Sequence, residues 1–168
     1  MNSRIKLAVL GAMLVLGTIA SGAQAQNAVA PAAAAKAKNW TPPAQKLYVQ
    51  TLTEQIMKAN SDLISVTFHG VPPDAPPKTY TMFGGSYLDR IGNPDDPDDV
   101  MVIETGITIL DPRWHRTKDA IRKFVVMAPL RDAAGENIGL LVLAYKTPAD
   151  RQRSDADFYR SATRLRDS

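Results

Sequence analysis

Hydrophobic spacing changes character several times along this chain. From Leu7 to Ala20 the residues are apolar except for two glycines and a threonine. Farther on, Ala44, Leu47, Tyr48, Leu52, Ile56 and Ala59 recur at helical spacing, with Lys46, Gln50, Thr53, Glu54 and Lys58 opposite them. That pattern predicts an amphipathic helix laid on another layer, ending near Asn60-Ser61. Thr41 reads as its N-cap and Pro42 as its first residue, where the missing N–H is not needed.

The period then falls to two. Ile64, Val66 and Phe68 alternate with Ser65, Thr67 and His69, which predicts a strand over Leu63 to His69 with one polar face. Pro72, Pro73, Pro76 and Pro77 interrupt regular structure, and Thr79 to Phe83 reads as a second, hairpin-like strand ended by Gly84-Gly85. A connection from Ser86 to Gly106 holds a short helix starting near Pro97. Three more strands follow at Ile107 to Leu110, Lys123 to Leu130 and Ile138 to Lys146, the last two joined by a turn over Arg131 to Glu136. The last strand is apolar on both faces and is expected at the centre of the sheet. A final helix, capped by Thr147-Pro148, carries a thin apolar stripe of Phe158, Tyr159, Ala162 and Leu165, so it is expected to be mostly solvated or to dock weakly. Five short strands without β-α-β alternation predict an α+β fold with an antiparallel sheet and helices on its faces.

The N-terminal segment changes how the rest is read. Arg4 and Lys6 precede the apolar run, and Ala23-Gln24-Ala25 places small residues at positions −3 and −1 of a cut before Gln26. Fourteen helical residues span about 21 Å, short of the roughly 30 Å hydrocarbon core, which favours a cleaved signal peptide over an anchor. The expected organisation is a signal peptide over 1–25, a disordered Ala-rich leader over 26–39, a domain over 40–147 and a C-terminal helix over 148–168. A periplasmic or secreted location follows from the signal.

Composition narrows the chemistry. The chain has 20 Lys+Arg against 17 Asp+Glu. Removing Arg4 and Lys6 leaves 18 − 17 = +1 for the processed form, so nothing electrostatic calls for nucleic acid or anionic lipid as a partner. There is no cysteine, which excludes disulfides, thiolate metal sites, thiol nucleophiles and a cysteine-linked lipid anchor. No G-x-S-x-G elbow, phosphate-binding loop, dinucleotide-binding glycine motif or H-E-x-x-H helix is present. The expectation is a protein that is not an enzyme and has no cofactor.

Three groups carry candidate chemistry. Asp95, Asp96, Asp98 and Asp99 offer hard oxygen ligands, but they lack the glycine and terminal glutamate of an EF-hand loop. They read more simply as the N-cap and first turn of the short helix, and no metal site is expected. Arg113, Trp114, His115, Arg116, Lys118, Arg122 and Lys123 form a basic, aromatic stretch, either a solvated loop or a clamp for a carboxylate or phosphate. His69 and Tyr80, on neighbouring predicted strands, either face a ligand together with Thr67, Met82 and Phe83 or lie under the first helix.

The run Ile91-Gly92-Asn93-Pro94-Asp95-Asp96-Pro97-Asp98-Asp99-Val100, followed by Glu104-Thr105-Gly106, resembles the connecting segment of extracellular PAS-like sensor domains of the PDC or Cache type. Val125 to Val142, a strand with Pro129-Leu130, the Asp132-x-x-Gly135 turn, then Ile138-Gly139 and an apolar strand, resembles their final hairpin. The resemblance covers roughly Pro42 to Thr147. It implies a five-stranded antiparallel PAS-like sheet with a long N-terminal helix on one face and a short C-terminal helix, the other face and its long loops enclosing a small ligand. It also implies ligand-facing residues, for which His69, Tyr80, Phe83, Arg113, Trp114 and Arg122 are the candidates. Members usually sit between two membrane helices of a receptor, and no second apolar run here approaches that length. The expected function is therefore an exported module that binds a small molecule, with a carboxylate as the favoured class, and signals through a separate membrane receptor or transporter. A non-enzymatic protein that docks onto such a membrane partner, through Phe158, Tyr159 and Leu165, is the alternative.

Overall fold

The computed structural model describes residues 37–112, 122–147 and 152–168. The signal segment, nearly all of the Ala-rich leader and the basic stretch from Arg113 onward to residue 121 lie outside the described residues. The elements are α1 (Tyr48–Ala59), β1 (Leu63–Gly70), β2 (Thr81–Gly85), a 3-10 turn (Leu88–Arg90), α2 (Pro97–Thr105), β3 (Ile109–Pro112), β4 (Lys123–Arg131), β5 (Asn137–Lys146) and α3 (Asp155–Arg166). The strands form one antiparallel sheet in the order β2-β1-β5-β4-β3. This is the five-stranded antiparallel PAS-like α+β arrangement expected from the sequence, with the doubly apolar β5 at its centre.

The two faces of the sheet are covered by different helices. On one face Leu63, Val66, Phe68, Phe124, Val126, Ala128, Leu141, Leu143 and Tyr145 pack with Phe158 and Ala162 of α3 and with Val49, Leu52, Ile56 and Met57 of α1. On the other, Val125, Met127, Leu140 and Ala144 pack with Val102 and Ile103 of α2. Ile64 belongs to this second face although Leu63 and Val66 belong to the first. An irregularity between Leu63 and Ser65 inserts the extra residue, so strict alternation fails at the start of β1.

α1 starts six residues later than its pattern predicts. Its N-cap is Leu47, with no side-chain hydrogen bond. Pro43 keeps Pro42 from opening the helix, because a residue before proline is pushed out of the helical region. The backbone N–H groups of Asn39 and Trp40 instead donate to Gly92 O at 3.0 and 3.4 Å. β2 in turn runs through Gly84-Gly85 instead of stopping before them. A Cβ at Gly84 would lie 2.6 Å from Val49 Cγ1, so only glycine lets α1 approach β2 this closely. Gln50 locks the contact, donating to Gly85 O at 3.1 Å and accepting from Gly85 N at 3.2 Å.

α3 is not the weakly docked helix its thin stripe suggested. Phe158 stacks on Phe124 with centroids 4.2 Å apart and meets Tyr145 at 5.5 Å. Arg153 lies 4.2 Å above the other side of Phe158 and donates to Asp62 at 2.9 Å and Ser161 at 2.7 Å. Few apolar residues suffice because one of them is a large ring sandwiched on both faces. Its start is also later than Thr147-Pro148: Ser154 caps it and forms a capping box with Asp157. No helix among the described residues is long and apolar enough to cross a membrane.

Two outcomes test this account. Phe158→Ala is expected to destabilise the domain by about 3–5 kcal/mol in urea denaturation, the range for losing a buried aromatic ring. Hydrogen bonds from Ser154, and then Arg160, hold the Asp157 carboxyl at about 2, below its ordinary 3.8. A depressed carboxyl stabilises the fold above the unfolded value, and that contribution disappears as pH falls through the folded one. Melting temperatures measured from about pH 5 to about pH 2 should therefore fall less steeply in Ser154→Ala than in the parent chain.

Candidate functional site

The polar groups of the α2 face converge on His69. β1 carries Thr67 and His69 on the side that pairs with Val142 and Leu140, the residues lining the α2 layer. Thr67 Oγ1 lies 2.8 Å from His69 Nε2, and Asp95 Oδ1 lies 2.7 Å from His69 Nδ1. An ionised carboxylate only accepts, so Nδ1 carries the proton toward Asp95 and Nε2 of the neutral ring accepts from the threonine hydroxyl. Asp99 Oδ2 is 3.7 Å from the same Nδ1.

Local backbone geometry explains how two carboxylates reach this ring. Residues 92–95 run beside β2: Gly92 N donates to Met82 O at 2.8 Å, Met82 N to Asn93 O at 3.1 Å and Asp95 N to Tyr80 O at 3.2 Å, with a bridge between Thr81 and Pro94. A register shift between Phe68 and His69 lets His69 pair with Met82 at this point. Asp96 and Pro97 then start α2, and Asp99 closes its capping box by accepting Asp96 N–H at 3.1 Å. The other end of α2 stops at Gly106 in the left-handed conformation, φ 69°. Arg131 from the β4–β5 hairpin donates to Gly106 O at 3.1 Å, a cation at the negative end of the helix.

Burial makes the cluster unusual. The Asp95 side chain is fully buried, and its second oxygen, Oδ2, has no hydrogen-bond partner. The side chains of His69 and Asp99 are 10% and 12% exposed. Burial raises the Asp99 carboxyl above its ordinary value, opposed by His69 and by the Asp96 N–H. Tyr80 packs against the same layer, and its hydroxyl donates to Glu104 Oε1 at 3.1 Å. Desolvation, then Glu104, raises that hydroxyl as well.

Of the candidates read from sequence, His69 and Tyr80 share the α2 face and lie away from α1. Phe83 does not join them, because it packs against the opposite, α1 face of the sheet. Arg122 is exposed, just before β4. Lys123 pairs with Lys146, whereas His69 is level with Leu140, six residues along β5 and about 20 Å away at the strand rise. The sheet therefore does not bring Arg122 to the cluster. Arg113 and Trp114 lie outside the described residues. The capping role expected for Asp96 and Asp99 is present. Sequence reasoning missed the meeting of Asp95 and Asp99 with His69, whose only trace was an acidic run one residue longer than a cap requires.

No family profile and no curated protein matches the chain. Solved structures similar to it include the E. coli DcuS sensor domain, at 16% identity, 71% coverage of this chain, 73% of that one and a TM-score of 0.42. The type II free methionine-R-sulfoxide reductase from Thermoplasma acidophilum is similar at 14% identity, with 70% and 83% covered and a TM-score of 0.46. The GAF domain of the Acinetobacter phosphoenolpyruvate-protein phosphotransferase is similar at 11% identity, with 70% and 76% covered and a TM-score of 0.45.

Removing Asp95 should be felt in the fold. Asp95→Ala takes away the acceptor of a buried ring N–H and is expected to cost about 1–3 kcal/mol in chemical denaturation. Tyr80→Phe removes only an outer hydroxyl contact and is expected to stay within about 0.5 kcal/mol of the parent in the same assay.

Proposed function

We propose that this chain is an exported PAS-like module that binds a small molecule on the α2 face of its sheet, beside His69, Tyr80, Asp95, Asp99 and Glu104. One observation carries the reading: a fully buried carboxylate with an unpartnered oxygen stands beside His69 and Asp99 against an apolar layer, where such an oxygen costs free energy unless a ligand meets it. A few convergent polar groups set in apolar lining are what small-molecule sites share. Candidate catalytic apparatus is thin, since the absence of cysteine removes thiol chemistry and His69 already holds a partner on each ring nitrogen. The module then reports binding through a separate membrane receptor or transporter. The alternative of a docking protein has less support, because Phe158, the centre of its apolar patch, is buried against Phe124.

The described wall bears on the ligand's charge. Asp95, Asp99 and Glu104 favour a ligand that presents N–H or ammonium donors. A carboxylate ligand, the class suggested by Arg113 and Trp114, would meet repulsion here unless a cation neutralised these groups. A thermal-shift panel of amines, amino acids, purines and organic acids, run with and without divalent cations, tests the reading. A ligand at 100 times its Kd should stabilise the domain by about 2.7 kcal/mol. The shift should shrink in Tyr80→Phe and vanish in His69→Ala. Silence across the panel under both conditions would overturn the proposal.

A further inference from the structure

We propose that His69 Nδ1, Asp95 and Asp99 form a binding site for a divalent first-row transition metal of the Zn²⁺ type. One ligand atom from each of the three residues lies within 4.8 Å of the others. The residues come from two separate parts of the chain, β1 and the stretch that enters α2 and forms its first turn, and the sheet register fixes their meeting. Around a tetrahedral ion with bonds of about 2.0–2.1 Å, ligand atoms sit about 3.3 Å apart. The pair at 2.7 Å must therefore open by about 0.6 Å, while the atoms at 3.7 Å close slightly.

The strongest pointer is the Asp95 carboxylate, whose Oδ1 faces the ring at 2.7 Å and whose Oδ2 has no hydrogen-bond partner. The side chain is completely buried, so solvent does not complete the coordination of Oδ2, and no protein donor does. Nearby stands a second carboxylate, and the facing ring can contribute at most one positive charge. A divalent ion balances both carboxylates at once, which a proton on the ring cannot do. The imidazole selects among metals: nitrogen with two oxygens suits Zn²⁺ and its neighbours, whereas Ca²⁺ and Mg²⁺ prefer oxygen alone.

Thr67 completes the arrangement. When the metal takes Nδ1, the ring proton moves to Nε2, which then donates to Thr67 Oγ1 2.8 Å away, so the neutral ring keeps both partners. Three protein ligands leave a fourth position for water or for an oxygen of a bound molecule. A loaded site would turn this acidic wall into one that accepts a carboxylate, which joins the metal to the small-molecule reading without depending on it.

Equilibrium dialysis of the intact protein against ZnCl₂, with Ca²⁺ and Mg²⁺ run in parallel, tests the site. One Zn²⁺ per chain is expected, bound more tightly than either competitor. Asp95→Asn and Asp99→Asn should each weaken uptake at least about tenfold, with circular dichroism checking that each variant is folded. In the parent chain, long-range ¹H–¹⁵N spectra should show the metal on His69 Nδ1 and the proton on Nε2, a readout that needs no variant to fold. Absence of stoichiometric uptake, preference for Ca²⁺ or Mg²⁺, parent-like uptake in both folded Asn variants, or coordination through Nε2 would each overturn the site. No organic ligand enters this dialysis, so a silent thermal-shift panel leaves the metal site standing, and failed uptake leaves the amine reading of the panel standing.

Discussion

Residues 92–95 are hydrogen-bonded along the outer side of β2, and the α2 face is organised by that pairing. It sets how far the chain travels before Asp95 reaches His69, and it fixes the direction in which Asp96 and Pro97 start α2. With the first turn so placed, Asp99 can satisfy a helix N-terminal N–H and still lie beside the ring. Gly92 permits this path at φ 90°, because a Cβ there would collide with Trp40 O. A single backbone registration thus links the edge of the sheet, the start of a helix and the acidic cluster.

The other face rests on different physics. α1 approaches through the missing side chain of Gly84, and α3 through the aromatic stack of Phe124, Phe158 and the overlying Arg153. The Tyr145 hydroxyl beneath them is pushed up to about 12, by burial first and then by Asp62, with Arg153 opposing. Apolar packing and ring stacking dominate on this side, whereas the α2 side mixes apolar packing with charge. The two faces thus differ in kind, stacked rings around the buried Tyr145 hydroxyl on one and a buried carboxylate beside a histidine on the other.

The element order, the antiparallel sheet and the central position of β5 were legible because they depend on local periodicity, and the stretch from Asn137 to Lys146 is apolar on both sides. The helix α2 was legible from Pro97 and Gly106, whose backbone preferences are intrinsic. What escaped depends on distant partners. Pro43 keeps Pro42 from opening α1, and Gly92 holds Asn39 and Trp40. The strength of α3 lay in one ring meeting Phe124 from another strand. Candidate-site residues divide for the same reason: His69 and Tyr80 come to the α2 face of the sheet, whereas Phe83 packs on the other. Asp95, 26 positions along the chain from His69, could be identified as its partner only once the segment between them had been folded.

The pairing beside β2 has a consequence for how the molecule meets others of its kind. β2 ends the sheet, and the exposed backbone of a terminal strand is a template on which another chain can build. Here the template is already read from within: Met82 both accepts and donates to the 92–95 segment, and Asn39 and Trp40 close over Gly92. A strand from a neighbouring molecule would have to displace that segment, and with it Asp95 and the start of α2. On that side the protein resists strand-to-strand association with the same residues that build its acidic cluster.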